Sequence, residues 1–191
     1  ADALAPDGET LAPDLRARLA ERPAPWTFVA NLPYAGGARI LLAVLGAGMV
    51  FRRLVVTLQR EVVDRIVAAP GDRPYGPLTL RVGWYAEAQR LRRIPPEVFR
   101  PRPKVDSALA LLVPRAAPPS RSLDFAAWSA GVDLLFRHPR KQLGRGLATA
   151  AGAALADARA FLSRCGVDPA FRPGSDRCQQ LRRVREAVSN P

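Results

Sequence analysis

A short apolar run, Trp26 to Ala30, lies between Pro25 and Pro33 and ends in Asn31-Leu32-Pro33-Tyr34. Prolines on both sides keep the run short, so it reads as a buried strand over residues 26–30. The tetrad at its carboxyl end carries chemistry as well as a chain reversal. The Asn31 side-chain oxygen and the Leu32 carbonyl, which Pro33 holds at a fixed angle, can accept the two N–H bonds of an exocyclic amine. The Tyr34 ring can stack on the flat ring that bears that amine. An ordinary proline-containing turn would use the same residues, and four residues do not separate the two readings.

Around that strand, short apolar runs alternate with helical stretches. The pattern predicts strand 26–30, helix 37–47, strand 51–58, helices 59–69 and 76–85, and strands 88–94 and 105–113. Such alternation signals an α/β sheet covered by helices. Gly46-Ala47-Gly48 closes the first of these helices. The run from Ala116 to Arg121 is a linker by composition. Past it, apolar residues recur at helical spacing: Phe125, Trp128, Val132 and Leu135, then Leu143 and Leu147, then Leu155 to Leu162 and Leu181 to Val188. Asp124 is positioned to cap the first of these helices and Gly166 to end a later one. The expected organisation is an α/β part over 1–115, a linker over 116–122 and a small all-helical domain over 123–191.

A second motif follows about seventy residues after the tetrad. Phe99-Arg100-Pro101-Arg102-Pro103-Lys104-Val105-Asp106-Ser107-Ala108 opens on an aromatic, passes through a stiff Pro-x-Pro segment and enters an apolar strand. Two prolines make an extended arm that loses little further entropy on binding. Such an arm can hold Phe99 opposite Tyr34, with a flipped base between them. Arg100, Arg102 and Lys104 on the same arm can meet flanking phosphates. A basic proline-rich linker would look similar in isolation.

Taken together, these segments resemble the rRNA adenine N6,N6-dimethyltransferases. Asn31-Leu32-Pro33-Tyr34 resembles that family's version of the Asn/Asp-Pro-Pro-Tyr-like tetrad of amino-group methyltransferases. Phe99 to Ser107 is similar to its F-x-P-x-P-K-V-x-S segment. Between them Gln59-Arg60-Glu61-Val62-Val63-Asp64-Arg65 resembles its Q-K/R-E-V-x-x-R helix, followed in order by Tyr75-Gly76 and Pro95-Pro96. Phe136 to Leu143 resembles F-x-x-R-R-K-x-L/I, and Gly166-Val167-Asp168-Pro169 resembles a G-I/L-D-P turn. The resemblance implies the C-terminal part of a Rossmann-like methyltransferase sheet followed by a helical RNA-binding domain. It departs at Ala35-Gly36-Gly37, where the family has Asn-Ile-Ser/Thr.

The resemblance also implies S-adenosylmethionine as cofactor, and here the chain falls short. No G-x-G-x-G turn follows a strand, and no acid ends a next strand for the ribose hydroxyls. Asp2 resembles the acid that contacts the cofactor's adenine, and Asn31 would lie near the methyl group. On that alignment about a third of the family's length, at its start, has no counterpart, so the chain is expected to be a fragment with an incomplete cofactor site. Lacking the preceding strands, it should leave the edge of strand 26–30 open.

Charge points to the partner. The chain has 29 basic and 17 acidic residues, a net +12, and only two lysines, Lys104 and Lys141. Residues 1–35 carry three basic and five acidic groups, whereas residues 36–191 carry 26 basic and 12 acidic, a net of +14. A basic surface of that size favours a polyanion. With the motifs, the expected partner is rRNA within a small-subunit precursor, and Arg137, Arg140, Lys141 and Arg145 are expected to contact its phosphates. The longest apolar stretch, around Ile40 to Val50, is too short and glycine-broken to span a bilayer. Cys165, Cys178 and the single His138 cannot assemble a zinc site. A cytoplasmic monomer with no metal is expected.

The activity implied by the resemblance is methyl transfer from S-adenosylmethionine to adenine N6. Bonds from N6–H to Asn31 and the Leu32 carbonyl would favour sp³ character at nitrogen, while Tyr34 and Phe99 offset the unstacking of the base. Macrolide-resistance methylases share both motifs and act on large-subunit RNA; the helical domain and Asp106-Ser107-Ala108 favour the small-subunit enzyme. The alternative from a different class is a non-catalytic RNA-binding or ribosome-assembly module.

Overall fold

A computed structural model describes residues 3–21, 23–117, 124–137, 141–164 and 166–173. These fall into two compact units, residues 1–67 with 81–116, and residues 68–80 with 117–191. The first is a four-stranded α/β unit and the second is helical. The excursion of 68–80 into the helical unit departs from a single cut at the linker. Its cause is apolar: Tyr75 packs against the cluster Leu143, Leu162, Val167 and Phe171.

In the first unit the elements are α1 (Pro13–Ala20), β1 (Trp26–Asn31), α2 (Gly37–Gly46), β2 (Phe51–Gln59), α3 (Arg60–Ile66), α4 (Pro77–Tyr85, which begins in the second unit), β3 (Ala86–Ile94) and β4 (Ser107–Pro114). The sheet order is β1-β2-β4-β3. β1 and β2 are parallel, a pairing that requires a crossover, and α2 supplies it. β4 then inserts antiparallel between β2 and β3. The expected α/β sheet is thus present, its strand directions mixed, with each predicted element of this unit displaced by no more than a few residues. α3 stops at Ile66, short of residue 69, because Ala69 precedes Pro70 and the residue before proline is pushed out of the helical region. α1 was not expected from periodicity; it buries no residue, and its sequence signal is Pro13 in the first turn.

The core lies on one face of this sheet. Leu54, Val56 and Leu58 of β2 stand opposite Leu112, Ala110 and Ala108 of β4, all six buried. Large residues on one strand meet small ones on the next at Val56/Ala110 and Leu58/Ala108. Leu41, Ala43, Val44 and Leu45 of α2 are buried as well. β1 corrects the reading of strand 26–30 as buried, whereas its open edge is the one expected. Its residues alternate between partly buried and exposed, and Val29 is 72% exposed. The reason is topological: among the described residues β1 has a single neighbour, so one row of N–H and C=O groups faces outward.

The helical unit contains α5 (Phe125–Phe136), α6 (Leu143–Ala151) and α7 (Leu155–Arg164). Asp124 caps α5, accepting from the Ala127 N–H at 2.8 Å. The turn after α7 serves α6: the Leu143 and Gly144 N–H groups donate to the carbonyls of Phe171 (2.7 Å) and Pro169 (2.9 Å). Two N–H groups that a helix start would leave unpaired are satisfied this way. Val167 and Phe171 close the core beneath. The expected helix over 181–188 lies outside the described residues, as do Cys165, Cys178 and His138. Among the described residues no helix is long and apolar enough to cross a membrane.

Candidate functional site

Two constraints hold the tetrad in place. On the strand side, Asn31 pairs with Thr57 of β2, and the Leu32 N–H donates to the Thr57 carbonyl at 3.1 Å. Pro33 has no N–H to extend the ladder, so the chain leaves the sheet there. On the helix side, Gly36 adopts φ 85°, a left-handed conformation that turns the chain into α2. Gly37 then lies so close to the strand that a Cβ there would be 2.7 Å from Leu58 Cδ2 and 3.2 Å from Leu32 Cβ. The departure from the family pattern at Ala35-Gly36-Gly37 therefore matches a tight strand-to-helix turn. Leu32 is buried and Asn31 exposed, so the backbone is anchored while the amide side chain faces outward.

The second motif returns to the same place. After β3 a short turn, Pro96–Val98, leads into Phe99 and the Pro-x-Pro arm, which re-enters the sheet as β4. A cavity of about 330 Å³ forms between them, with Asn31, Leu32, Pro33 and Tyr34 on one side and Phe99, Arg100, Pro101 and Pro103 on the other. That volume is at the lower end for small-ligand clefts. Every residue expected to meet a base is in its wall. Residues about seventy positions apart in the chain have converged because β4 runs beside β2, the neighbour of β1.

Two residues that the sequence marked only as part of the family motif hold the walls. Ser107, the first residue of β4, is fully buried, and its Oγ shares a 2.6 Å hydrogen bond with the Tyr34 hydroxyl. Asp106 accepts from Arg93 of β3 at 2.7 Å and stands 3.6 Å from Arg60 of α3. Its carbonyl also accepts the Arg60 N–H at 2.9 Å. The point where the arm enters β4 is thus fixed from two elements. The signal in the sequence was a serine at the head of an otherwise apolar strand, paired with a tetrad that ends in tyrosine rather than phenylalanine.

The basic residues of the arm differ among themselves. Arg102 forms an ion pair with Glu97, both largely exposed. Such a pair is worth about 0–1 kcal/mol, little enough to be exchanged for another anion. Arg100 lies 3.4–3.5 Å from the carbonyls of Phe99 and Glu97, at the long limit of hydrogen bonding. Lys104 is exposed. In the helical unit a separate cavity of about 850 Å³ is lined by Lys141, Gln142, Arg145, Thr149 and Arg172 among others, with no acidic residue among the described residues of its wall. Lys141 and Arg145 were expected as phosphate contacts and Arg172 was not. Arg137 does not line this cavity; Arg140 and Asp2 lie outside the described residues.

Comparison with known proteins agrees with this picture. The model of the family described as ribosomal RNA adenine dimethylase matches residues 10–185. "Ribosomal RNA small subunit methyltransferase A" of Streptomyces coelicolor is 40% identical over 164 residues, covering 86% of this chain and 57% of the relative. The protein of the same name from Kineococcus radiotolerans is 42% identical over 153 residues, covering 78% and 49%. The chain thus spans about half the length of these curated relatives. Among solved structures, a dimethyladenosine transferase from Plasmodium falciparum superimposes with a TM-score of 0.70 at 19% identity, covering 86% of this chain and 66% of that one. The 23S rRNA methyltransferase ErmE gives 0.65 at 22% identity, covering 93% and 79%. At those identities the likeness concerns the fold, and it is the Rossmann-like methyltransferase fold expected from the motifs. By the family match and the sequence relatives, this chain belongs to the ribosomal RNA adenine dimethylase family.

Proposed function

We propose that this chain receives an unstacked adenine of small-subunit ribosomal RNA and presents its N6 amino group for methylation. The observation that carries the reading is the convergence of Asn31 to Tyr34 and Phe99 to Pro103 on one cavity. In that cavity the Asn31 side-chain oxygen and the Leu32 carbonyl accept the two N6–H bonds, which withdraws the nitrogen lone pair from the ring. Tyr34 and Phe99 stack on the base and offset the few kcal/mol of unstacking. Arg100 and Lys104 meet the flanking phosphates. Arg102 can do so by exchanging Glu97 for phosphate. The basic cavity of the helical unit, with Lys141, Arg145 and Arg172, holds a second stretch of backbone.

S-adenosylmethionine is the methyl donor of this reading and supplies the transferred methyl group. Asn31 is the residue this reading puts near the methyl group, and among the described residues no glycine-rich strand-to-helix turn precedes β1. The residues described fit the acceptor base and do not by themselves fit the donor. The small-subunit assignment rests on the names of the relatives at about 40% identity.

The test is base selectivity. Short single-stranded RNAs with one adenine among uracils should bind more tightly than all-uracil RNA, and Asn31→Ala should remove the preference while sparing the all-uracil affinity. Equal affinity of the parent for both RNAs would overturn the adenine reading and leave a sequence-independent RNA-binding module.

A further inference from the structure

We infer that Ser107 is a positioning residue that fixes the plane of the Tyr34 ring. The inference rests on the reading of the cavity as an adenine site and assigns Ser107 a task within it. Three observations converge. First, Ser107 is the one buried polar residue among the described residues, fully buried at the head of β4. A hydroxyl so placed needs a partner, and that partner is the Tyr34 hydroxyl at 2.6 Å. Second, a ring that only stacks needs no hydroxyl, and Phe99 in the other wall has none. The hydroxyl on Tyr34 therefore has a use beyond stacking, and its bond to β4 is that use. Third, Ser107 is itself flanked by partners on both sides. It pairs with Gln59 of β2 and Ile94 of β3, and the preceding Asp106 is tied to Arg93 and Arg60.

The consequence is an asymmetric clamp. The Tyr34 wall is bonded to a central strand of the sheet, whereas the Phe99 wall is carried by the arm. A base entering the cavity meets one ring already ordered, so the entropy of orienting that side chain is not charged against binding. The second ring can adjust to it. Because Ser107 also begins the strand into which the arm runs, a single residue sets the spacing between the two motifs.

Proton NMR of the 191-residue chain with the one-adenine RNA tests this. Stacking on Tyr34 and Phe99 should shift the adenine H2 and H8 resonances upfield at saturation, and Tyr34→Ala should reduce that shift and the adenine preference. Ser107→Ala and Tyr34→Phe should each weaken adenine-dependent affinity by about 2- to 12-fold, the worth of one net hydrogen bond, with a smaller upfield shift. The double variant should be no worse than either single one, since both remove the same bond. Tyr34→Phe keeps the ring and leaves β4 untouched, so it decides the matter even if Ser107→Ala fails to fold. If Tyr34→Ala has its effect but Tyr34→Phe and Ser107→Ala match the parent, the positioning role is wrong and the adenine site stands. Multiplying effects in the double variant would also overturn it, because Ser107 would then act through the strand. If the parent shows no adenine-dependent shift, the adenine site itself falls, and the role of Ser107 with it.

Discussion

Replacing Gly37 by alanine sets two effects of known size against each other. Alanine is favoured over glycine in a helix by up to about 1 kcal/mol, and less here because residue 37 opens α2. Against this stands the added methyl, 2.7 Å from Leu58 Cδ2 and 3.2 Å from Leu32 Cβ. Carbon atoms attract best at about 3.5–4.0 Å, so the first approach is roughly 0.8 Å too short. Leu58 is 2% exposed and packs on the buried face of the sheet beside Ala108, with no solvent to swing into. Overpacking of this kind costs about 1–3 kcal/mol, so the net loss should be about 1–2 kcal/mol. The strain falls on Leu32, whose N–H closes the β1–β2 ladder. Amide hydrogen exchange reads it directly: in Gly37→Ala the Leu32 amide should exchange about 5- to 30-fold faster. Shortening the obstructing side chain with Leu58→Val should remove most of the difference between glycine and alanine at position 37. Unchanged or slower exchange in Gly37→Ala, or a difference that persists in the Leu58→Val background, would refute the close-approach argument.

Three further outcomes are expected. Replacing Lys141 and Arg145 by alanine should flatten the dependence of log affinity on log salt by about 0.7–0.9 for each phosphate no longer neutralised, whereas Phe99→Ala should weaken adenine binding with the slope unchanged; equal slopes for both would remove the division between charge and stacking. Asp124→Ala deletes the 2.8 Å cap on α5 and should cost the helical unit about 1 kcal/mol, with Asp124→Asn largely restoring it, as unfolding midpoints will report. Burial pushes the Tyr85 phenol up to about 12 from 10.0. The folded state therefore favours the neutral phenol, and its contribution is intact below pH 10 and lost as pH rises through about 12. Tyr85→Phe should lose less stability over that window than the parent, with one phenolate absorbance step removed; identical profiles would place Tyr85 in water.

Local information determined the elements and their chemistry. Proline and glycine positions bounded β1, α2 and α3, because those residues act on their own dihedral angles whatever surrounds them. Alternation of apolar runs indicated an α/β sheet, and the two motifs named the residues that line the cavity, since their side-chain chemistry is intrinsic. Pairings between distant segments were settled only by the tertiary structure. That β4 inserts between β2 and β3, bringing Phe99 beside Asn31, follows from burying Leu54, Val56 and Leu58 against Leu112, Ala110 and Ala108. A strand's own residues do not say what will cover them, so the apolar run of β1 read as buried although its residues alternate between partly buried and exposed. Nor does a lone serine reveal its partner: the Tyr34–Ser107 bond spans 73 residues. Residues 68–80 joined the helical unit for the same reason, because Tyr75 found its apolar partners beyond the linker rather than beside it in the chain. Short-range preferences are additive along the sequence, whereas packing is decided by which surfaces exclude water together.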